Sequence, residues 1–219
     1  RHGMTPGELA RLWVAGFGVE VELRVVPVEG WRREMRFADT GLPWIPPSPN
    51  IPTVESALHY PGLCLFEGTN LSEGRGTTRP FELCGAPWLD GDAWARAAEP
   101  QVGPGFVLRP TGIKPMFQKH AGMVCGAVQI HTTDRWASRS MRLTLALLRE
   151  ARRLAPDDFG WRTDAYEYRS DRLAIDLLFG SEAPRRLLEA DAPGEDILAT
   201  FRAAEAEFAE RRREVLLYA

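Results

Sequence analysis

Positions 67–78 read EGTNLSEGRGTT. Glu67 and Glu73 bring carboxylates, Asn70 an amide, Thr69, Ser72, Thr77 and Thr78 hydroxyls, and Arg75 a guanidinium. Gly68, Gly74 and Gly76 let the backbone take positive φ and approach a ligand closely. A sugar needs closely spaced donors and acceptors for its hydroxyls, and cleavage of a glycosidic bond needs a carboxyl group as proton donor or nucleophile. Two other readings stay open at this point. One is a polar surface turn. The other is a phosphate cradle, since glycines beside an arginine can form an anion nest, although the spacing matches neither GxxxxGK[ST] nor GxGxxG.

A second cluster, KPMFQKHAG at 114–122 followed by QIH at 129–131, holds Lys114 and Lys119, the two lysines of the chain, together with His120 and His131. A hydrogen-bonded structural histidine is the plainer reading of both imidazoles. No carboxylate or cysteine stands near them at metal-ligand spacing, so no metal site is expected. His2 has the same ambiguity. Trp88 and Phe117 offer either a stacking platform for a sugar ring or ordinary core.

Several elements must position these groups. Thr5, Pro6 and Glu8 supply an N-cap hydroxyl, a proline at the first helical position and a glutamate at the third, a capping box that opens a helix through Leu9, Leu12 and Trp13 and ends at Gly16. Residues 19–25 alternate apolar and polar, the period of a half-buried strand, and helix then strand suggests an α/β unit. The proline-rich stretch 42–61 carries Trp44, Ile45 and Ile51, so a rigid packed loop is expected there rather than a solvated linker. A helix capped by Thr53 follows it. The apolar run 63–66 reads as a strand buried in a parallel sheet, ending at Glu67, where ligands of open α/β sheets bind. Beyond it the pattern predicts helices over 90–98, 134–154, 171–179 and 181–190, with Ser181 as an N-cap. A last helix should run from 193 to 217, and strands lie near 106–109 and 124–131. The shift from loop-rich to helix-rich composition near Trp88 marks the expected domain boundary, giving domains 1–88 and 89–219.

The 219 residues are 44% hydrophobic with a net charge of -3 and a mean hydropathy of -0.26, which suits a globular protein with no concentrated basic surface for nucleic acid. The only arginine run, Arg211 to Arg213, shares a helix with glutamates and reads as a solvated face. No apolar run approaches the roughly 20 residues of a membrane span. The chain lacks a signal-peptide pattern and an initiator methionine, so a processed or truncated piece is expected. Cys64, Cys84 and Cys125 have neither the even number nor the spacing of a disulfide or zinc framework and read as small buried hydrophobes.

Taken in order, RHGMTPGELA, LPWIPPSPNIP, LCLFEGTNLSEGRGTTRPFE, FQKHAG and VQIHTTD resemble the bacterial exo-β-N-acetylmuramidase (NamZ) family, and the likeness runs the length of the chain. The resemblance implies an α/β fold: the C-terminal part of a Rossmann-like domain followed by a smaller, helix-rich α+β domain, with the active site in the cleft between two parts. It implies release of N-acetylmuramic acid from the non-reducing ends of peptidoglycan fragments in cell-wall recycling, in the periplasm or outside the cell, without a cofactor. It makes Glu67 the catalytic carboxylate and places Asn70, Ser72 and Arg75 around the muramic acid, Arg75 on the lactyl carboxylate. Glu73, Thr77, Lys119, His120, His131 and His2 join them as candidate substrate contacts. The family's first half, with any carboxylate it brings, precedes position 1, so that half is an expected partner. A non-catalytic glycan-binding or scaffold module of the cell wall is the alternative, and a phosphate- or nucleotide-handling enzyme a third.

Overall fold

The structure is a computed structural model and describes residues 2–218. In chain order the elements are α1 (Pro6–Phe17), α2 (Val54–Leu63), β1 (Leu83–Ala86), α3 (Gly91–Ala98), β2 (Phe106–Ile113), β3 (Cys125–Thr132), α4 (Ser140–Leu154), α5 (Ala174–Phe179), α6 (Ala183–Glu189), α7 (Gly194–Ala199) and α8 (Arg202–Arg212), with short 3-10 turns between some of them. The fold is mixed α/β, many helices around a small sheet. It divides into two compact units: the chain up to Pro43 together with the chain from Phe201 onward, and Trp44–Thr200. The boundary expected near Trp88 falls inside the second unit, directly after β1.

In the first unit the capping box forms as the sequence predicts. The Thr5 amide donates to Glu8 Oε2 at 2.7 Å, the Glu8 amide donates to Thr5 Oγ1 at 3.4 Å, and α1 ends on Gly18 in the left-handed conformation. The strand expected over 19–25 does not form. These residues join no ladder among the described residues, and Val19, Val21 and Leu23 are exposed. A period-two pattern becomes a strand only where a neighbouring strand takes its amides and carbonyls, and here none does.

The second unit is built on an antiparallel sheet of order β1-β3-β2. Leu83 faces Gln129 and Ala86 faces Gly126, while Phe106 faces Thr132 and Ile113 faces Cys125. Helix α3 lies on this sheet so closely that a side chain at Gly91 would collide with the Ala127 backbone. The fully buried Trp94 donates from Nε1 to the Leu147 carbonyl of α4 at 3.0 Å. Helix α2 starts on Thr53, as expected, and meets α4 where Gly62 leaves room for the Ser140 carbonyl. Of the proline-rich stretch, Trp44 and Ile51 are half-buried but Ile45 is exposed.

The run 63–66 is buried, as its composition demands, but it is not a strand. Helix α2 passes into a 3-10 helix, Cys64–Gly68, so Glu67 sits on a tight helical turn. Four apolar residues look alike as a buried strand or a buried helical turn. The 134–154 helix starts late because Asp134 Oδ1 accepts the amides of Trp136 at 2.7 Å and Ala137 at 3.2 Å, a side-chain turn that competes with helix. Ser181 does not cap α6, whose N-cap position is Glu182. The expected last helix is interrupted where the Thr200 hydroxyl donates to the Ile197 carbonyl at 2.7 Å and ends α7.

Candidate functional site

Glu67 stands on the 3-10 turn with its side chain 17% exposed. Its Oε1 accepts from Arg75 Nη2 at 2.7 Å, and its Oε2 accepts from the Tyr166 hydroxyl at 2.9 Å. Both carboxylate oxygens are therefore held by side-chain donors from different segments. Burial, followed by the bond to Glu67 and the Glu67 charge, pushes the Tyr166 phenol well above its ordinary range. Burial and then the same charge raise Tyr60, and they raise Cys64 to about 11. Burial and the neighbouring carboxylate thus keep these three groups protonated.

A second carboxylate, Glu73, is 4% exposed and bridges the loop to its neighbour. It pairs with Arg75 Nε at 3.0 Å and with Lys119 Nζ at 3.0 Å. Lys119 also donates to the carbonyls of Phe66 at 2.7 Å and Leu71 at 2.9 Å, so all three ammonium protons are engaged. Burial lowers its pKa, against the pull of Glu73. Arg75 lies over the Phe81 ring, 5.3 Å from its centroid. Burial opposes its charge, but the bond to Glu67 and the charges of Glu67 and Glu73 raise its pKa.

The remaining loop groups are bonded to the loop itself or to its neighbours. Asn70 Nδ2 donates to the Asp158 carbonyl at 2.7 Å and Oδ1 accepts from the Gly160 amide at 3.0 Å. The Asn70 carbonyl accepts from His120 Nε2 at 2.7 Å, which fixes that nitrogen as the protonated one. Ser72 Oγ accepts from the Gly74 amide at 3.1 Å, and Thr77 Oγ1 donates to the Gly74 carbonyl at 2.6 Å. Gly74 and Gly76, at φ 82° and 83°, do not bring backbone to an open space for a ligand. A side chain at either would strike the Leu83 carbonyl or the Phe117 backbone. Their freedom serves close packing against neighbouring chain.

Glu67, Asn70, Ser72, Glu73, Arg75, Thr77, Lys119 and His120 thus form one linked neighbourhood. His131 lies exposed on β3 opposite Val107 and shares no hydrogen bond with the loop among the described residues. His2 belongs to the first unit, on a cavity of about 500 Å³ also lined by Trp31, Arg33 and Arg212. Phe117 is exposed on the loop following β2. Among the described residues no three His, Cys, Asp or Glu side chains gather as a metal site would require, and no helix is long and apolar enough to cross a membrane.

Sequence reasoning missed two contributors. Tyr166 lies 99 positions from Glu67 in a stretch without helix or strand period; the crowding of Trp161, Arg162, Tyr166, Tyr168 and Arg169 was the one available signal. That stretch runs as a strap along the loop. The Asn70 amide donates to the Gly160 carbonyl and the Arg162 amide to the Gly68 carbonyl, each at 2.9 Å. His59 is buried, with Nδ1 2.9 Å from the Phe81 carbonyl and Nε2 2.8 Å from Thr132 Oγ1. It holds the Phe81 backbone in its left-handed conformation (φ 62°), under Arg75. Burial lowers its pKa.

Residues 58–218 match the family described as Exo-beta-N-acetylmuramidase NamZ, C-terminal, and residues 1–55 match its N-terminal counterpart. Over 218 residues the chain is 37% identical to the Peptidoglycan beta-N-acetylmuramidase NamZ of Bacillus subtilis (strain 168), spanning 100% of this chain and 51% of that protein. Its fold is similar to crystal structures of two DUF1343 family proteins from Bacteroides fragilis. One has a TM-score of 0.83 at 27% identity, the other 0.73 at 24%; each comparison covers 99% of this chain and 56% of the other. The chain spans about half the length of the relatives it matches.

Proposed function

The chain belongs to the exo-beta-N-acetylmuramidase NamZ family, and from that membership we propose that it is part of a glycoside hydrolase releasing N-acetylmuramic acid from the non-reducing ends of peptidoglycan fragments. The observation that carries the site assignment is Glu67, a partly exposed carboxylate with both oxygens held, by Arg75 and Tyr166. Hydrolysis of a glycosidic bond passes through an oxocarbenium-like transition state flanked by two carboxyl groups. A carboxylate fixed by two donors is preorganised to act on that centre, because its orientation costs no rearrangement during the reaction.

In this reading Arg75, Tyr166 and the Glu73–Lys119 pair orient Glu67, and Asn70, Ser72, Thr77 and His120 shape the loop that presents it. The second carboxyl group can lie in the stretch of the relatives that this chain does not span. The finer fold expectation belongs to the same proposal: the N-terminal part of the chain, expected as residues 1–88, would be the end of a Rossmann-like domain, and the protein would act in the periplasm or outside the cell, on muramic acid glycans shed during wall turnover. Release of N-acetylmuramic acid from a chromogenic β-muramoside by the full-length protein tests it. Turnover that survives Glu67→Gln intact would remove Glu67 from the chemistry. Binding of muropeptides with no turnover in the wild type would favour the glycan-binding module instead.

A further inference from the structure

Arg75, Lys119 and Arg162 are the cations of this neighbourhood, and the first two are already neutralised. Arg75 is paired with both carboxylates, at 2.7 and 3.0 Å, and Lys119 with Glu73. Arg162 differs. Its backbone amide is tied to the Gly68 carbonyl, the residue after Glu67. Its guanidinium carbon lies 5.4 Å from the centroid of the Tyr166 ring, the ring whose hydroxyl holds Glu67. Its charge is among those that depress Lys119. Yet among the described residues the guanidinium makes only one long hydrogen bond, 3.4 Å from Nη2 to the Ala165 carbonyl, and no ion pair. Its acidic neighbours Asp164 and Glu167 are exposed and do not pair with it.

We propose that Arg162 is the residue that receives the carboxylate of the substrate, the lactyl group of N-acetylmuramic acid; this rests on the muramidase reading above. Two carboxylates and two paired cations leave the loop neutral, and Arg162 is the surplus charge that one bound anion would balance. A guanidinium stacked on a ring keeps its fork flat and preorganised for bidentate contact. Arg75, by contrast, would have to release Glu67 or Glu73 and bring a third negative charge beside them. Arg162 therefore sets the preference for a carboxylate-bearing sugar over one that lacks it, while Glu67 stays free for the reaction centre.

The test is titration of the full-length protein with N-acetylmuramic acid and with N-acetylglucosamine, which lacks the lactyl ether, in the wild type, Arg162→Gln and Arg162→Lys. The wild type should prefer N-acetylmuramic acid, and Arg162→Gln should bind it about tenfold to a hundredfold more weakly, the range for losing a charged hydrogen-bond partner. Binding of N-acetylglucosamine should not change. Arg162→Lys keeps the charge but not the fork and should fall between; if the glutamine variant does not fold, the lysine variant decides, and an undiminished preference in it overturns the proposal. So does a glutamine variant that discriminates as the wild type does. A wild type with no preference between the two sugars refutes the muramidase reading itself, and this inference with it.

Discussion

Two glutamates with arginine partners show how similar pairs serve different ends. Glu8, in the first unit, is wholly buried (0% exposed). It accepts from the amides of Thr5 at 2.7 Å and Leu217 at 2.8 Å and from Arg33 Nη2 at 2.5 Å. Arg33 in turn donates to the carbonyls of Gly3 at 2.6 Å and Tyr218 at 3.2 Å. Every partner but Arg33 is backbone from the two ends of the unit's chain, so the pair works as a clasp. Glu67 is held by two side chains and keeps an exposed face. A carboxylate closed off by amides stabilises the fold, and one held by side chains at the surface is free to meet a ligand.

Substitution should separate the two. Glu67→Gln is expected to lower kcat of the full-length protein at least about 10³-fold, within the range for losing a positioned acid, base or nucleophile, while its thermal midpoint barely moves. Glu8→Gln should do the reverse. Removing one member of a buried pair costs about 3 kcal/mol, read by denaturant unfolding, with kcat of the folded fraction unchanged. Loss of turnover in Glu8→Gln at full folding would break the contrast.

The clasp also makes a pH prediction. Burial works against the Glu8 charge, but bonds from Arg33, Leu217 and Thr5 outweigh it and hold the carboxyl at about 2, below its ordinary 4.5. A depressed carboxyl contributes stability that is fully present above its unfolded pKa and lost as pH falls through the folded one. The first unit should therefore weaken between pH 4.5 and 2. In Glu8→Gln that part of the slope should flatten, and an identical slope in both proteins would remove Glu8 as its source.

Tyr166 is the finer test of the site. Tyr166→Phe keeps the ring under Arg162 but takes the donor from Glu67 Oε2. One hydrogen bond to a charged group is worth about 1.5–3 kcal/mol, so kcat should fall about tenfold to a hundredfold while KM stays within about threefold. A change confined to KM would mean that Tyr166 touches substrate instead of orienting Glu67.

What the sequence showed of all this follows the range of the interactions. Thr5, Pro6 and Glu8 lie within one turn, so their capping box was legible, as was Thr53 above α2. The strand β3 was legible from the alternation in its VQIHT run and β2 from its apolar opening, although β2 runs on to Ile113, beyond the expected 106–109. The turn beneath Glu67 was misread because an apolar run of four shows burial but not period. The stretch 19–25 shows the period, yet lacks the partner that would make it a strand. The polar loop announced itself by composition, but its chemistry did not. Nothing local says that Lys119 is fully engaged by Phe66, Leu71 and Glu73, or that Tyr166 reaches Glu67 across 99 positions. Those contacts exist only once the segment between β2 and β3 and the strap have folded beside the loop.

The smallest effect probes the clasp from its local side. Thr5→Ala removes the hydroxyl that takes the Glu8 amide, at 3.4 Å a long bond, but leaves the Thr5 amide on Glu8 Oε2 and the Arg33 pair untouched. An N-cap hydroxyl is worth about 1 kcal/mol. Because Glu8 remains fixed by three other donors, the loss should stay at or below that figure in denaturant unfolding, well short of the cost of Glu8→Gln. Combining the two substitutions measures their coupling. If Thr5 acts mainly by framing Glu8, the double variant should cost little more than Glu8→Gln alone; simple addition of the two losses would show that the cap and the clasp work independently.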